Sequence, residues 1–362
     1  MGSEINPDLV LIARNFRGLS QTEVSSSAVI DQGYYSRIER GLLNAPVKDS
    51  TLKALSSALD FPVEFFFANT EVGGLPLSIH GPQWRKRSGA GAKDVKRLHA
   101  ELNVRLFHLQ KLLQAVDLHP ELPLPEFDCE GEGGAEKVAS AVRRAWGLPD
   151  GPIRNLTNLC ERAGIIVIHC PFPEKIDGVT MRHRGLPPVI FLNDRAPADR
   201  MRHSLAHELG HVIMHRIPTG SMEEEADEFA GEFLAPFRLV RREFIGGRVS
   251  LDRLVQQKLY WRVSVAALLY KLGKREFITE NQRSYLWRQY SAKGWRSGEP
   301  AETQFPHENA AMHSYLISYH TDELNYSISE MGRMLASHSS DLFKLYGLQD
   351  TSSKRTSLRV VK

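Results

Sequence analysis

The apolar positions of the first 70 residues fall into short runs at helical spacing, each bounded by a capping or stopping residue. In "NPDLVLIARNFRG", Leu9, Leu11, Ile12 and Phe16 fit one helix that stops at Gly18. "SQTEVSSSAV" follows with Ser20 as N-cap, and "DQGYYSRIERG" is capped by Asp31 and stopped by Gly41. "DSTLKALSSALD" and "PVEFFF" complete a set of five predicted helices with a tight turn between the second and third. Residues 92–117 have the period of one long helix, and 119–137 reads as a loop. "AEKVASAVRRAWGLP" and "IRNLTNLCERAG" read as helices, whereas "IIVIHC" (165–170), "GVTMRHR" and "PPVIFLN" (187–193) read as strands of a small sheet. Helical patterns then dominate to residue 350, so the expected fold class is mainly α with a small β-sheet (α+β).

Composition narrows the picture modestly. A chain of 362 residues has room for two or three cores, and 46 Lys/Arg against 43 Asp/Glu leave a net charge of only +3. The charge is uneven: residues 82–111 carry eight basic against two acidic residues, a stretch suited either to DNA phosphate or to a solvated helix face. Cys129, Cys160 and Cys170 are too few and too scattered for a disulfide framework or a cysteine zinc site. With no apolar run near the ~18 residues of a membrane helix and no signal-peptide pattern, the expected setting is soluble and cytoplasmic, with no membrane partner.

The segment "LSQTEVSSSAVIDQGYYSRIERG" resembles the helix-turn-helix of the Xre/Cro/CI repressor family, through Gln21, Val24, Ile30 and "YSRIERG". Val29 and Ser25 stand where that family has Gly and Ala. The resemblance implies double-stranded operator DNA as partner, with Gln32, Gly33, Tyr34 and Arg37 facing the major groove. Gln and Arg suit that task, since each can make bidentate bonds to a base edge. A homodimer is the usual way such a unit reads two half-sites.

"RHSLAHELGHVIMHR" (202–216) places histidines at 203, 207, 211 and 215, all near one face of a helix. Each four-residue step drifts by ~40°, so four rings cannot reach one ion. The inner pair frames "HELGH", an H-E-x-x-H pattern in which His207 and His211 can share a zinc ion and Glu208 can act as general base. Downstream, Glu223 and Asp227 are four apart, so Glu223 could complete a His–His–carboxylate set while Asp227 orients a ligating histidine.

"LAHELGHVIMH" with "EEEADEFAGEFLAP" looks like the ImmA/IrrE family of metallopeptidase-like domains, matched at Glu223, Ala226, Asp227, Phe229, Ala230 and Pro236. The resemblance implies Zn2+ on His207, His211 and Glu223, with Glu208 as catalytic base and Glu224 or Glu225 as fallback ligands. Manganese is the other metal this donor set admits. His203 is expected to bond backbone near the helix start, with substrate contact as the alternative, and His215 to be a hydrogen-bonded helix-end histidine, with a metal role as the alternative. The strand "PPVIFLN" either pairs with an extended substrate or lies in the core.

Residues 249–279 read as helix, turn at "YWRVS", helix: either a second helix-turn-helix or a pair packed on the peptidase core. "SAKGWRSGEP" (291–300) reads as a structured turn, and 323–347 as two more helices. The expected organisation is therefore a helix-turn-helix domain (1–70), a linker and long helix (71–135), a zincin-like domain (136–240), a helical region (241–350) and a basic tail (351–362). Relatives of this build are associated with control of stress genes or mobile elements. The expected function is a DNA-binding regulator whose zinc domain either cleaves a protein such as a partner repressor or acts as a sensor. A non-catalytic transcription factor and an antitoxin or immunity-type autoregulator are the alternatives.

Overall fold

The computed structural model describes residues 5–69, 91–173, 176–300 and 303–348. The linker at 73–84, the first part of the basic stretch (82–90) and the tail at 351–362 lie outside them.

Four α-helices and one 3-10 turn form the N-terminal unit: α1 (Pro7–Arg17), α2 (Gln21–Ser27), α3 (Gln32–Glu39), α4 (Asp49–Leu59), then Val63–Phe67. The fifth predicted helix is thus a 3-10 turn, whose Phe65 and Phe66 close the core. Side chains of Asn6, Ser20 and Asp31 cap the first three helices. A buried carboxylate ties them together: Glu39 accepts hydrogen bonds from Gln21 (2.6 Å) and Tyr35 (2.8 Å) and pairs with Arg14. Gln21 therefore has a structural task. Val29 adopts φ 54°, so the turn keeps the left-handed backbone despite its β-branched side chain.

Helix α5 (Ala92–Leu112) is buried on two faces, as befits a helix with neighbours on both sides. Ala100, Val104 and Phe107 join the core of the N-terminal unit, while Leu98, Leu102, Leu106 and Leu109 join the core under the sheet. Its exposed basic charge is in the first turns at Lys93, Lys96 and Arg97. Arg105 is buried and bonds Glu101 and the Leu345 carbonyl, and Lys111 in the last turn is half-buried over Phe107.

Two short helices, α6 (Ala135–Ala145) and α7 (Leu156–Arg162), precede the sheet of β1 (Ile166–Cys170), β2 (Gly178–Met181) and β3 (Val189–Asn193). The strand order is β1-β3-β2, with β3 parallel to β1 and antiparallel to β2. Alternation splits the sheet: Val167, Ile190 and Leu192 face the main core, and Ile166, Ile168, Val189 and Phe191 face α5.

Against the main core packs α8 (Ala198–Met214), followed by α9 (Met222–Leu234) and α10 (Phe237–Val240). Gly210 lets α8 and α9 approach, since a Cβ there would meet Ala226 Cα at 3.3 Å and Phe229 at 3.2 Å. The C-terminal region adds α11 (Leu251–Trp261), α12 (Val265–Lys274), α13 (Glu280–Ala292), α14 (Ala311–Ser318), α15 (Ile328–Met334) and α16 (Ser339–Tyr346). Buried polar contacts pin it down. Arg202 pairs with Glu308 and donates to the Ile153 carbonyl (2.9 Å), and Arg17 of α1 reaches Asp341 of α16 at 2.6 Å.

Candidate metal centre

Helix α8 carries the H-E-x-x-H residues and α9 the downstream acids; the close Gly210 crossing brings the two sets together. His207 Nε2 and His211 Nε2 lie 3.1 Å apart. The Glu223 carboxylate stands 3.6 Å from the first and 3.4 Å from the second. Tetrahedral zinc with bonds of ~2.0–2.2 Å sets neighbouring donors roughly 3.3–3.6 Å apart. Both carboxylate separations fall in that range and the His–His separation lies just below it, so the three side chains can converge on such an ion. Glu223 Oε1 is buried and accepts no hydrogen bond, as expected of an oxygen kept for a cation.

Electrostatics agree with the geometry. Burial works against a charged His207, but Asp227, Glu223 and Glu208 outweigh it and carry the imidazole up to about 10. Burial would likewise raise Glu223, yet the His207 and His211 rings hold it down at about 2. The metal-free site thus holds a proton where positive charge is wanted.

Both histidines are oriented from behind. Asp227 accepts from His207 Nδ1 at 2.8 Å, so Nε2 is the nitrogen turned to the site and gains a lone pair for a cation once its proton leaves. His211 has a longer relay. Its Nδ1 meets His215 Nδ1 at 2.9 Å, His215 Nε2 donates to Glu225 (2.9 Å), and Ser221 donates to the other Glu225 oxygen (2.7 Å). With His211 donating from Nδ1, every proton in this row has one acceptor and Nε2 faces the site. His215 is the C-cap of α8, as a helix-end histidine should be, but its ring serves His211. Glu225 is engaged there and Glu224 lines the cavity, so of the three consecutive acids only Glu223 lies among the metal-competent group.

Glu208 is buried beside β2, where Thr180 Oγ1 donates to its Oε2 at 2.7 Å. Gly178 makes the room: a Cβ there would meet Glu208 Cγ at 3.2 Å. Sequence reading missed both Thr180 and the His215–Glu225 relay; the spacing of His215 four residues after His211 was the available signal. Of the two readings left open for "PPVIFLN", the core strand is the one observed. β3 is central and wholly buried, and β2 is the strand that lies against Glu208. His203 makes no backbone bond that fixes it at the helix start, and instead lines the cavities beside the metal pair.

In the N-terminal unit, Gln32, Gly33 and Arg37 are exposed on α3, and Tyr34 is half-buried against the core. The opposite side of the unit is covered by α5 and α16, so these residues remain outward.

The arrangement is that of a helix-turn-helix unit joined to a metallopeptidase-like body. Residues 12–66 match the family model described as helix-turn-helix, and residues 160–273 match that described as IrrE N-terminal-like domain. The chain is thus an Xre-like helix-turn-helix fused to an IrrE/ImmA-like domain. No curated protein matches the chain. Among the described residues, no helix is long and apolar enough to cross a membrane.

Proposed function

We propose that the chain is a DNA-binding regulator whose second domain is a zinc-dependent endopeptidase acting on a protein substrate, such as a partner repressor. The carrying observation is the Thr180–Glu208 hydrogen bond beside the His207–His211–Glu223 group. A sensor needs ligands; it has no use for a buried carboxylate held in place next to them.

Zinc bound there supplies Lewis-acid chemistry, polarising a carbonyl and lowering the pKa of a water toward ~7. The chain's own residues do the rest. Thr180 occupies Oε2 of Glu208, so Oε1 is free to take the proton of the attacking water. As the peptide C–N bond breaks, Glu208 returns that proton to the leaving nitrogen. Asp227 and the His215–Glu225 pair hold the two imidazoles in the tautomer with Nε2 inward. On α3, Gln32 and Arg37 read base edges of double-stranded operator DNA, with Tyr34 and Gly33 beside them.

Zinc-loaded wild type and Glu208→Gln, incubated with a mixed-sequence peptide library, test this reading. The expected result is cleavage by wild type, a loss of at least 100-fold in the variant, and equal zinc content. Equal cleavage by both proteins removes Glu208 from the mechanism. The pKa shifts add a second measurement. Because the Asp227, Glu223 and Glu208 carboxylates raise His207, zinc binding should release its proton, and affinity should rise with pH above neutrality. Titration calorimetry in buffers of different ionisation enthalpy reads that proton directly.

A further inference from the structure

Two cavities meet at His203. One of about 560 Å³ contains Glu223 and lies between α9 and α12. The other, about 770 Å³, shares His203, Val263 and Ala267 with it and is closed by residues of the 290–307 segment.

Helix α8 gives His203 to both and Ala198, Asp199, Arg200 and Ser204 to the second. Between Ala198 and Ile213 only Arg200, His203, Ser204 and His207 escape burial, and their spacing puts them on one face. Seven residues of helix span ~10 Å, the length of about three residues of extended chain. An extended polypeptide with its scissile bond at the metal therefore reaches the second cavity with the side chain of a residue close by.

The walls of that cavity say which side chain. Tyr290, Trp295 and Phe305 line it together with Ala266 and Ala267 of α12. Ser204, Ser264, Ser297 and Gln304 add neutral polar groups. The aromatic side is rigid: the Tyr290 and Trp295 rings meet edge-on at 5.6 Å, and the Tyr290 hydroxyl donates to Glu299. His307 donates to the Ala196 carbonyl at 2.8 Å, and Glu308 is buried against Arg202, so the segment is pinned at this end too. The charges at the rim are already engaged. Arg200 pairs with Asp177, Lys258 lies between Asp199 and Glu299, and Arg296 stacks on Trp287 and donates to Ser291.

We propose that this cavity is a substrate subsite for a bulky apolar side chain, of leucine or phenylalanine size, next to the bond to be cut. The inference rests on the endopeptidase reading and names its substrate class. Its aromatic wall lies beyond residue 273, outside the matched IrrE N-terminal-like region, so this selectivity is contributed by the C-terminal region of this chain.

N-acetylated hydroxamates of glycine, aspartate, leucine and phenylalanine, titrated by calorimetry into the zinc-loaded full-length protein, are the test. Burying such a side chain should favour the leucine and phenylalanine compounds over glycine by roughly 10- to 100-fold, with aspartate weakest. Ala266→Trp, which fills the cavity, and Phe305→Ala, which removes a wall, should each bring the ratio close to one. Equal binding of all four compounds, or an aspartate preference, overturns the subsite and leaves the metal centre standing. Failure of every hydroxamate to bind overturns both the subsite and the reading beneath it.

Discussion

Helices α2 and α3 are joined through Val29 at φ 54°, and α3 starts on the Asp31 cap. Helices α11 and α12 are joined through Arg262 at φ 55°, and α12 starts on the Ser264 cap. The two helix–turn–helix units therefore share one local design: a left-handed residue, an apolar residue, a capping residue, a helix. Their second helices differ in what surrounds them. α3 leaves Gln32 and Arg37 in solvent, whereas α12 lines the metal cavity with Ala267, Tyr270 and Lys271. Turn chemistry specifies the motif, and the neighbours decide whether its outer face is free to read a groove.

The units are also anchored by different physics, and this is where the comparison can be broken most sharply. Lys258 of α11 is wholly buried between Asp199 and Glu299. Lys258→Ala would strand two carboxylates and should cost about 3–5 kcal/mol in denaturant unfolding. A change under 1 kcal/mol would mean that the ion cluster does not anchor the second unit.

Next come the displayed faces. Arg37→Ala should weaken operator binding by roughly 10- to 100-fold in a fluorescence-anisotropy titration, whereas Lys274→Ala on α12 should leave it within about twofold. If Lys274→Ala weakens DNA binding as much as Arg37→Ala, both units face DNA and the contrast disappears.

Acid separates the anchors. The first unit is clamped by α16, behind which His108 accepts or donates to Tyr346 and Ser337 at 2.7 and 2.8 Å. Burial, with help from Arg105, pushes His108 down to about 3 and His313 to about 4. A histidine with a folded pKa below its unfolded value near 6.5 contributes stability that is intact above that pH. That contribution fades as pH falls through 5 toward 4 and then 3. Each should cost about 1 kcal/mol at pH 5.5, read as acid-induced loss of stability that His313→Phe reduces.

The smallest effect concerns the turns. Val29 is 88% exposed in a left-handed conformation that costs a β-branched residue about 1–2 kcal/mol, while glycine loses about 0.5–1 kcal/mol of entropy on folding. Val29→Gly should therefore stabilise the protein by about 0.5–1 kcal/mol in thermal unfolding. Arg262→Gly should show no such gain, because it also removes the 2.6 Å bond from Arg262 to the Arg154 carbonyl.

Much of this was legible in the residues. The capped helices of the N-terminal unit, the three strands and the pairing of His207 with His211 follow from spacing, whereas preferring Glu223 over Glu224 and Glu225 needed the family resemblance. The former depend on contacts within one element or between elements adjacent in the chain, which periodicity encodes. What was not legible joins distant positions. Thr180 meets Glu208 across 28 residues, Arg202 meets Glu308 across 106, and Arg17 meets Asp341 across 324. Nor could a polar pattern tell that α5 is enclosed on two sides, since its charged first turns mask the apolar remainder.

The sequence by itself determined which side chains could hold a metal and act as base, because helical periodicity places residues four apart on one face. Its resemblance to a repressor helix-turn-helix pointed to those that could read DNA. Tertiary structure decided which of them face the same cavity. It made β2 the strand beside Glu208, turned His215 into the support of His211, and folded 290–299 and 304–307 into a wall beyond His203. The physical reason is that a side chain's chemistry is local, whereas the water excluded around it depends on every element packed nearby.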